Sequence, residues 1–363
     1  MKIGKVLLYF CTLSFLLSGC ARSALPARTE LVLGTVCTVN LFEDGTQERY
    51  NRIFLRLREL EETLSAHLSD SEIAFVNDGA GLRTGAESST EAGLRTEAEP
   101  SSAEGILPVS VSEDTLYVIA LAKEFAELTG GKFDPTIGPL VRLWDVTNEF
   151  PRVPSSDEIA EALALVDYRL LEIDEQKSTL YLPVKGMKLD AGGIAKGYAA
   201  DEIVRILKEE QVRRALIDLG GNIYAFGERE RNTPWRIGIR DPFQVLNEPV
   251  IRINVTNQSV VTSGVYERFF EQDGVRYHHI LDPETGYPVR NNIMSVTIVT
   301  GSSTTADALS TSLFLLGVEE GLRFVESLPG TEAVFITDNR QVYHTKGLTG
   351  KMEILSGDLS SAP

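Results

Sequence analysis

The chain has 363 residues, 43% of them apolar and 24% charged, and its formal net charge is −17. This apolar fraction is sufficient for a hydrophobic core, so the composition excludes a chain that is disordered throughout. The acidic excess, with no run rich in Lys or Arg, argues against a nucleic-acid partner, because phosphate backbones repel an acidic surface. An acidic protein that binds an anionic ligand needs local positive charge from a metal ion, lysines or helix ends.

The first twenty residues have the pattern of an export signal. Lys2 and Lys5 precede an apolar run over residues 6–17, which is shorter than the roughly 20 residues of a membrane-spanning helix. The run ends in Leu17-Ser18-Gly19-Cys20, which resembles a bacterial lipobox. We therefore predict a signal peptide over 1–19 and acylation of Cys20, for example by palmitate. A plain secretory signal with an incidental cysteine is the alternative.

The remaining chain is predicted to be one domain over 31–350, with a tether over 20–30 and a tail over 351–363. Residues 78–105 differ in composition, because Ala80-Gly81-Leu82-Arg83-Thr84 recurs as Ala92-Gly93-Leu94-Arg95-Thr96 among Gly, Ser, Thr, Glu and Ala. Such a tract buries too little apolar area to offset its ordering entropy, so we predict a disordered surface loop. Cys37 has no partner in the mature chain, and we expect a buried apolar side chain.

In chain order, residues 31–42 alternate as strands, and 47–64 have the apolar period of an amphipathic helix. A helix over 113–129 ends at Gly130-Gly131, and residues 132–140, with two prolines, are predicted to form a rigid loop. A short helix over 156–166 precedes strands within 168–182. Further strands are predicted over 215–218, 222–226, 235–239, 250–255, 259–262, 277–281 and 294–299. Consecutive strands without intervening helices imply mostly antiparallel sheets, and hence an α+β fold.

Asp190-Ala191-Gly192-Gly193-Ile194-Ala195-Lys196-Gly197 closes an extended run and opens a helix that is predicted to end near residue 209. Glycines allow the backbone to approach a ligand, and the amides at a helix start favour a phosphate. Lys196 adds a mobile positive charge. An ordinary strand-to-helix turn is the competing interpretation.

A second helix starts in Thr304-Thr305-Ala306-Asp307-Ala308-Leu309-Ser310-Thr311. Asp307 and Thr311 are one turn apart and share a face, so their oxygens could hold a hard cation such as Mg²⁺. Thr304-x-x-Asp307 also fits a capping box, in which Asp307 only satisfies the helix start. The segment by itself leaves both possibilities open.

His278 and His279 lie on a predicted strand before the turn Asp282-Pro283-Glu284-Thr285-Gly286. Neighbouring residues of a strand point to opposite faces, so one of the two can face a given pocket. Histidine is well suited to accept a proton near neutral pH, although a histidine on a strand more often serves packing.

Taken together, eight motifs carry a resemblance to the ApbE family of FAD:protein FMN transferases, which includes periplasmic lipoproteins. They occur in the family's order at 33–35, 65–77, 133–139, 190–197, 218–222, 263–264, 279–286 and 306–311. The resemblance spans residues 31–350. It implies Mg²⁺-dependent transfer of FMN from FAD to a threonine or serine hydroxyl, with release of AMP. It further implies, as acceptors, the flavin-carrying subunits of membrane redox pumps of the Nqr or Rnf type, and a periplasmic location with a lipid anchor in the inner membrane.

The resemblance also implies roles for particular residues. The metal ligands are the Asp307 carboxylate, the Thr311 hydroxyl and the Gly193 carbonyl, and His279 is the general base. The FAD contacts are Leu33, Gly34, Thr35, His67, Lys132, Phe133, Asp134, Asp190, Lys196 and Leu281.

Three positions depart from the family pattern, since Leu33 replaces Met, Gly193 replaces Ala and His67 replaces Tyr. Two other functions are compatible with the motifs. One is a Mg²⁺-dependent pyrophosphatase that hydrolyses FAD to FMN and AMP. The other is a lipoprotein that binds FAD without chemistry.

Overall fold

The computed structural model describes residues 24–79, 108–244 and 248–362. Its helices are α1 (Gln47–Leu64), α2 (Glu72–Gly79), α3 (Glu113–Leu128), α4 (Gly138–Trp144), α5 (Ser156–Leu163), α6 (Ala195–Glu209), α7 (Ser303–Leu316) and α8 (Val318–Glu326). Single 3-10 turns occur at Phe42–Asp44, Tyr168–Leu170 and Lys346–Leu348. Within the described ranges no helix is long and apolar enough to cross a membrane.

The strands are β1 (Arg28–Val32), β2 (Thr35–Asn40), β3 (Val109–Ser110), β4 (Glu172–Asp174), β5 (Thr179–Tyr181), β6 (Ala215–Leu219), β7 (Asn222–Phe226), β8 (Trp235–Arg240), β9 (Pro249–Val255), β10 (Gln258–Gly264), β11 (Phe269–Gln272), β12 (Val275–His278), β13 (Ile293–Thr300), β14 (Glu332–Thr337), β15 (Gln341–His344), β16 (Met352–Ile354) and β17 (Ser360–Ser361). A large sheet has the order β1-β2-β6-β7-β10-β13-β14-β15-β17. Its pairs are antiparallel except β15 with β17. The predicted α+β class with mostly antiparallel sheets is confirmed.

The large sheet is buried on both faces. On one side, Val261 and Phe335 pack in the same cluster as Ile53 of α1 and Leu309 of α7. On the other side, Val260 packs with the small sheet β16-β9-β8. Alternate residues of a strand face opposite ways, so the large sheet packs against other elements on both sides. This packing holds the ends of the strands at fixed positions, where turns and helix starts form a cleft.

Helix α1 has the predicted bounds, and it begins where the Thr46 hydroxyl accepts a hydrogen bond from the Arg49 amide. The predicted loop over 132–140 is partly wrong, because α4 begins at Gly138 with Pro139 in its first turn. Proline lacks an amide hydrogen, but the first turn of a helix does not need one, so a proline there is compatible with a helix.

The segments that flank the predicted domain also contribute strands. Part of the predicted tether forms β1, and part of the predicted tail forms β16 and β17, which pair with β9 and β15. Cys20, the signal peptide and residues 80–105 of the predicted loop lie outside the described residues. The start of that predicted loop is wrong, because residues 78 and 79 form the end of α2. Cys37 is buried, as predicted, and burial raises the pKa of its thiol to about 12.

Candidate active site

A cleft of about 830 Å³ lies at one end of the large sheet. This volume is within the range of roughly 300–1,000 Å³ that is common for small-molecule sites. The cleft brings together most of the residues that the sequence singled out. Those that line it are Thr35, His67, Lys132, Phe133, Asp134, Asp190, Gly193, Lys196, His279, Leu281, Asp307 and Thr311.

Leu33 and Gly34 are not among the residues that line the cleft. Both have positive φ angles, 57° and 63°, and they form the tight turn between β1 and β2. The Gly34 amide donates a hydrogen bond to Glu61. This turn holds Thr35 against Gly220, where a Cβ would come within 2.2 Å of the Thr35 hydroxyl oxygen.

Two sides of the cleft differ in character, and we call them the helix wall and the strand wall. The helix wall consists of Gly193, Lys196, Asp307 and Thr311, at the start of α6 and in α7. The strand wall consists of Asn222 on β7, Gly238 on β8, and Tyr266 and Glu267 after β10. All eight residues line the same cleft.

The helix wall depends on a close crossing of α6 and α7. A Cβ on Gly197 would lie 2.3 Å from the Ser303 carbonyl oxygen, so a side chain there would push the helices apart. The Gly197 amide donates to Asp307 Oδ2 at 2.9 Å, and Lys196 Nζ lies 3.7 Å from Asp307 Oδ1. The buried Asp307 carboxylate is therefore fixed in orientation by an amide and a cation.

The capping-box interpretation of Asp307 is wrong. The Ser302 side chain is the cap of α7, and it accepts from the Thr305 amide. The Asp201 carboxylate, on α6, accepts hydrogen bonds from the amides of Ser303 and Thr304 at 2.8 and 2.9 Å. A residue about a hundred positions away in sequence thus satisfies the helix start and leaves Asp307 for another role.

The donor chemistry of the helix wall fits a hard cation. The Thr311 hydroxyl has no hydrogen-bond partner in the parts of the chain that the structure describes, and a Cβ on Gly193 would lie 3.7 Å from its oxygen. A carboxylate, a hydroxyl and a nearby main-chain segment are oxygen donors of the kind that Mg²⁺ prefers. The described residues contain no cluster of three or more His, Cys, Asp or Glu side chains suited to a metal. The donor set of Asp307, Thr311 and Gly193 contains one acidic side chain, so it is not a cluster of that kind.

The prediction that the amides at the start of α6 bind a phosphate is wrong for two of these amides. The Gly197 amide is bonded to Asp307, and the Ala195 amide donates to the Ala191 carbonyl at 2.8 Å. Both have partners within the protein. Lys196, whose Nζ donates to the Gly192 carbonyl at 3.1 Å, remains as the positive group of this segment.

The two neighbouring histidines have different environments. His278 is buried, its Nε2 lies 3.0 Å from the Val289 carbonyl, and its Nδ1 accepts from the Ile280 amide. His279 lines the cleft, and its Nδ1 lies 3.3 Å from the Arg268 carbonyl oxygen. Because a carbonyl oxygen only accepts, Nδ1 of His279 carries the proton and Nε2 has a free lone pair. Burial, with the Arg268 charge, lowers the His279 pKa to about 3, so the ring is neutral.

Two rim residues make bonds within the protein. Lys132 Nζ lies 2.9 Å from Glu284 and 3.9 Å from Asp282, which ties the 132–137 segment to the turn after β12. The buried Asp134 carboxylate accepts from the amide and hydroxyl of Thr136, and burial raises its pKa. Lys132 and Asp134 thus shape the rim as well as facing the cleft.

Three residues near the site were not singled out from the sequence. Asp201 caps α7, Asn222 has a buried side-chain nitrogen without a partner, and Glu267 faces the cleft. The cap joins two distant helices, so no local spacing could reveal it. The Gly-Gly-Asn and Tyr-Glu sequences around the other two were visible, but only the fold shows that they face the cleft.

Comparison with known proteins agrees with this geometry. A family model described as the ApbE family matches residues 33–335. The chain belongs to the ApbE family. A protein of Treponema pallidum named FAD:protein FMN transferase is 36% identical, covering 98% of this chain and 96% of its own length. A protein of that name from Klebsiella pneumoniae is also 36% identical, covering 80% and 83%.

Solved structures of ApbE proteins share the fold. The ApbE protein of Thermotoga maritima has a TM-score of 0.75 at 31% identity, covering 90% of this chain and 98% of that one. The flavin transferase ApbE of Vibrio cholerae has a TM-score of 0.74 at 26% identity, with the same coverage. The predicted family and the single-domain ApbE-like architecture are therefore confirmed.

Proposed function

We propose that this protein is an FAD:protein FMN transferase, which moves the FMN half of FAD to a threonine or serine hydroxyl and releases AMP. Relatives that carry that name match 98% and 80% of this chain. The observation that carries the proposal is geometric. A neutral histidine with a free Nε2 and an oriented Asp307–Thr311 pair line one cleft.

The proposed metal is Mg²⁺, held by the Asp307 carboxylate, the Thr311 hydroxyl and the Gly193 carbonyl. When bound, it would neutralise charge on the diphosphate of FAD and stabilise the charge that develops on the leaving oxygen. Lys196, 3.7 Å from the Asp307 carboxylate, adds a positive group beside the same position. These groups supply the local positive charge that the acidic composition requires.

In the proposed reaction the acceptor hydroxyl oxygen forms a bond to the FMN-side phosphorus of FAD. The bond from that phosphorus to the bridging oxygen breaks, and AMP leaves with the bonding electrons. The hydroxyl proton passes to His279 Nε2, while the Arg268 carbonyl holds the ring through Nδ1–H. Such a proton transfer contributes typically about 10²–10⁴ in rate, and the positioning of FAD contributes much of the remainder.

The flat rings of FAD would pack against the side of the cleft that contains Phe133, Ile137 and Leu281. Phe133 and Leu281 are buried, and the Phe133 ring lies against Gly193, where a Cβ would be 3.0 Å from it. Aromatic and aliphatic groups of this kind bind flat ligands mainly by area burial. This position would put one ring system next to the helix wall.

We further propose that the protein is attached to the periplasmic face of the inner membrane through an acylated Cys20. The lipobox-like sequence supports this location, as does the acceptor class that the family resemblance implies, namely flavoprotein subunits of Nqr- or Rnf-type redox pumps. Metabolic labelling with palmitate, followed by comparison of the Cys20→Ser variant, tests the anchor. Equal labelling of both proteins would refute it.

The function is tested by incubating the purified protein with FAD, Mg²⁺ and a flavin-free Nqr-type acceptor subunit. Mass spectrometry should show FMN attached to one threonine or serine, with one AMP released for each FMN attached. AMP and free FMN without an acceptor would identify a pyrophosphatase instead. Bound FAD without AMP under either condition would identify a binding protein and refute the proposal.

A further inference from the structure

We propose that the strand wall is the binding site for the acceptor polypeptide, which lies there as an extended segment with its hydroxyl residue directed toward His279. This inference rests on the proposed function. It assigns to the strand wall a ligand class, the peptide backbone, that is distinct from FAD and the metal.

The first observation is a buried donor without a partner. Asn222 is 3% exposed, and its side-chain nitrogen has no hydrogen-bond partner in the described residues. A buried amide without a partner destabilises a fold, so its presence in the lining of a cleft indicates a ligand that accepts a hydrogen bond.

The second observation is an acceptor without a partner on the same wall. No hydrogen bond or ion pair to the Glu267 carboxylate occurs in the ranges 24–79, 108–244 and 248–362. Glu267 lines the same cleft as Lys196, His279 and Asp307. A donor and an acceptor that both lack partners match the C=O and N–H groups that an extended peptide presents in alternation.

The third observation is the backbone of β8. Among the described strands, β8 pairs with β9 on one side and lies at the edge of its sheet on the other. Gly238 is exposed there and lines the cleft, as do Gly220 and Gly221. An edge strand beside positions without side chains allows another backbone to approach closely and to pair by strand addition.

A flavin ring is the competing occupant, because its edge also carries donors and acceptors. The strand wall offers it a poor stacking surface, since the guanidinium of Arg240 lies 4.7 Å from the centre of the Tyr266 ring. The opposite side of the cleft, with Phe133 and Leu281, offers a better one. The geometry therefore favours the peptide on the strand wall.

The test uses two variants of the purified full-length protein, Glu267→Leu and Asn222→Leu, which remove the acceptor and the donor respectively. With saturating Mg²⁺, initial rates of FMN attachment to the flavin-free acceptor subunit give KM separately for the acceptor and for FAD. We expect the acceptor KM to rise at least about tenfold in each variant, because a hydrogen bond in the complex is lost. The FAD KM should change less than about threefold.

Controls separate binding from folding. Glu271→Leu removes an exposed carboxylate that pairs with Arg276 outside the cleft, and it should leave both KM values unchanged. Asn222→Leu should not lower Tm, since it removes a buried amide that has no partner. If that variant fails to fold, the Glu267→Leu variant, at an exposed position, still gives the measurement.

The two KM values distinguish the possible occupants of the strand wall. A rise in the FAD KM with an unchanged acceptor KM would assign the strand wall to flavin and overturn the inference, as would two unchanged KM values. If the unaltered protein transfers FMN, either result leaves the proposed function standing. If the unaltered protein releases AMP but attaches no FMN, the proposed function fails and this inference fails with it.

Discussion

The helix wall and the strand wall of the cleft differ in how their polar groups are satisfied. On the helix wall, the Asp307 carboxylate is held by the Gly197 amide and faces Lys196. On the strand wall, Asn222 and Glu267 face the cleft without partners among the described residues. A group with partners keeps its position when no ligand is bound, whereas a group without partners gains most when a ligand supplies them. The first arrangement suits a preorganised reaction centre, and the second suits a partner that binds and leaves.

The largest effect is expected where the helix wall loses its carboxylate. Asp307→Ala should lower Mg²⁺-dependent AMP release by about a thousandfold or more, because the metal loses its charged ligand. AMP release is measured by chromatography over a range of Mg²⁺ concentrations. Undiminished release would remove Asp307 from the metal site and with it the contrast between the walls.

The next largest effect is expected at the proton acceptor. His279→Ala should slow FMN transfer at least about a hundredfold while FAD still binds, since the ring takes a proton and does not hold the metal. Stopped-time assays of transfer and flavin fluorescence titration measure the two properties. A variant that transfers at the unaltered rate would show that another group accepts the proton.

His278, the neighbour of His279, should make the stability of the protein depend on pH. Burial lowers the His278 pKa to about 4, below the value of 6.5 for an unperturbed histidine. The stability that the neutral, buried His278 ring contributes is therefore fully present above pH 6.5 and is lost as the pH falls toward 4. We expect roughly 2 kcal/mol of stability to be lost from this residue between pH 7 and pH 5. Urea unfolding at both pH values should show a smaller difference in His278→Gln, and an equal difference would contradict the assignment.

The smallest effect is expected from the support of the helix wall. Asp201→Ala removes the acceptor for the Ser303 and Thr304 amides and should destabilise the protein by about 1–2 kcal/mol. Asp201→Asn, which retains an acceptor oxygen, serves as the matched control and should lose less. Thermal unfolding measures both variants, and equal stabilities of Asp201→Ala and the unaltered protein would show that Ser302 caps α7 sufficiently.

The sequence predicted the elements whose signals are local. Helix α1 and its apolar face follow from the period of Ile53, Leu57 and Leu60, and the turn after β6 follows from Gly220-Gly221. Helix α4 was partly missed because Pro139 is both a loop signal and a good first residue of a helix. The order of the strands required pairings between distant segments, such as β2 with β6, that no local pattern encodes.

The same distinction holds for the site. The motifs that carry the family resemblance predicted which side chains gather in the cleft, but whether Asp307 caps α7 stayed open until the long-range cap from Asp201 was visible. Which of His278 and His279 faces the cleft likewise depends on the path of the chain after β12. Leu33 and Gly34 shape a turn instead of lining the cleft, a difference that depends on backbone angles and not on residue type.

The helix wall is proposed to bind a divalent cation at the diphosphate of FAD. A crystal grown with FAD and Mn²⁺ in place of Mg²⁺, measured near the manganese absorption edge, tests it most directly. We predict one anomalous peak, in contact with the Asp307 carboxylate, the Thr311 hydroxyl, the Gly193 carbonyl and the diphosphate. FAD bound in the cleft with the cation elsewhere, or with no cation, would contradict the account.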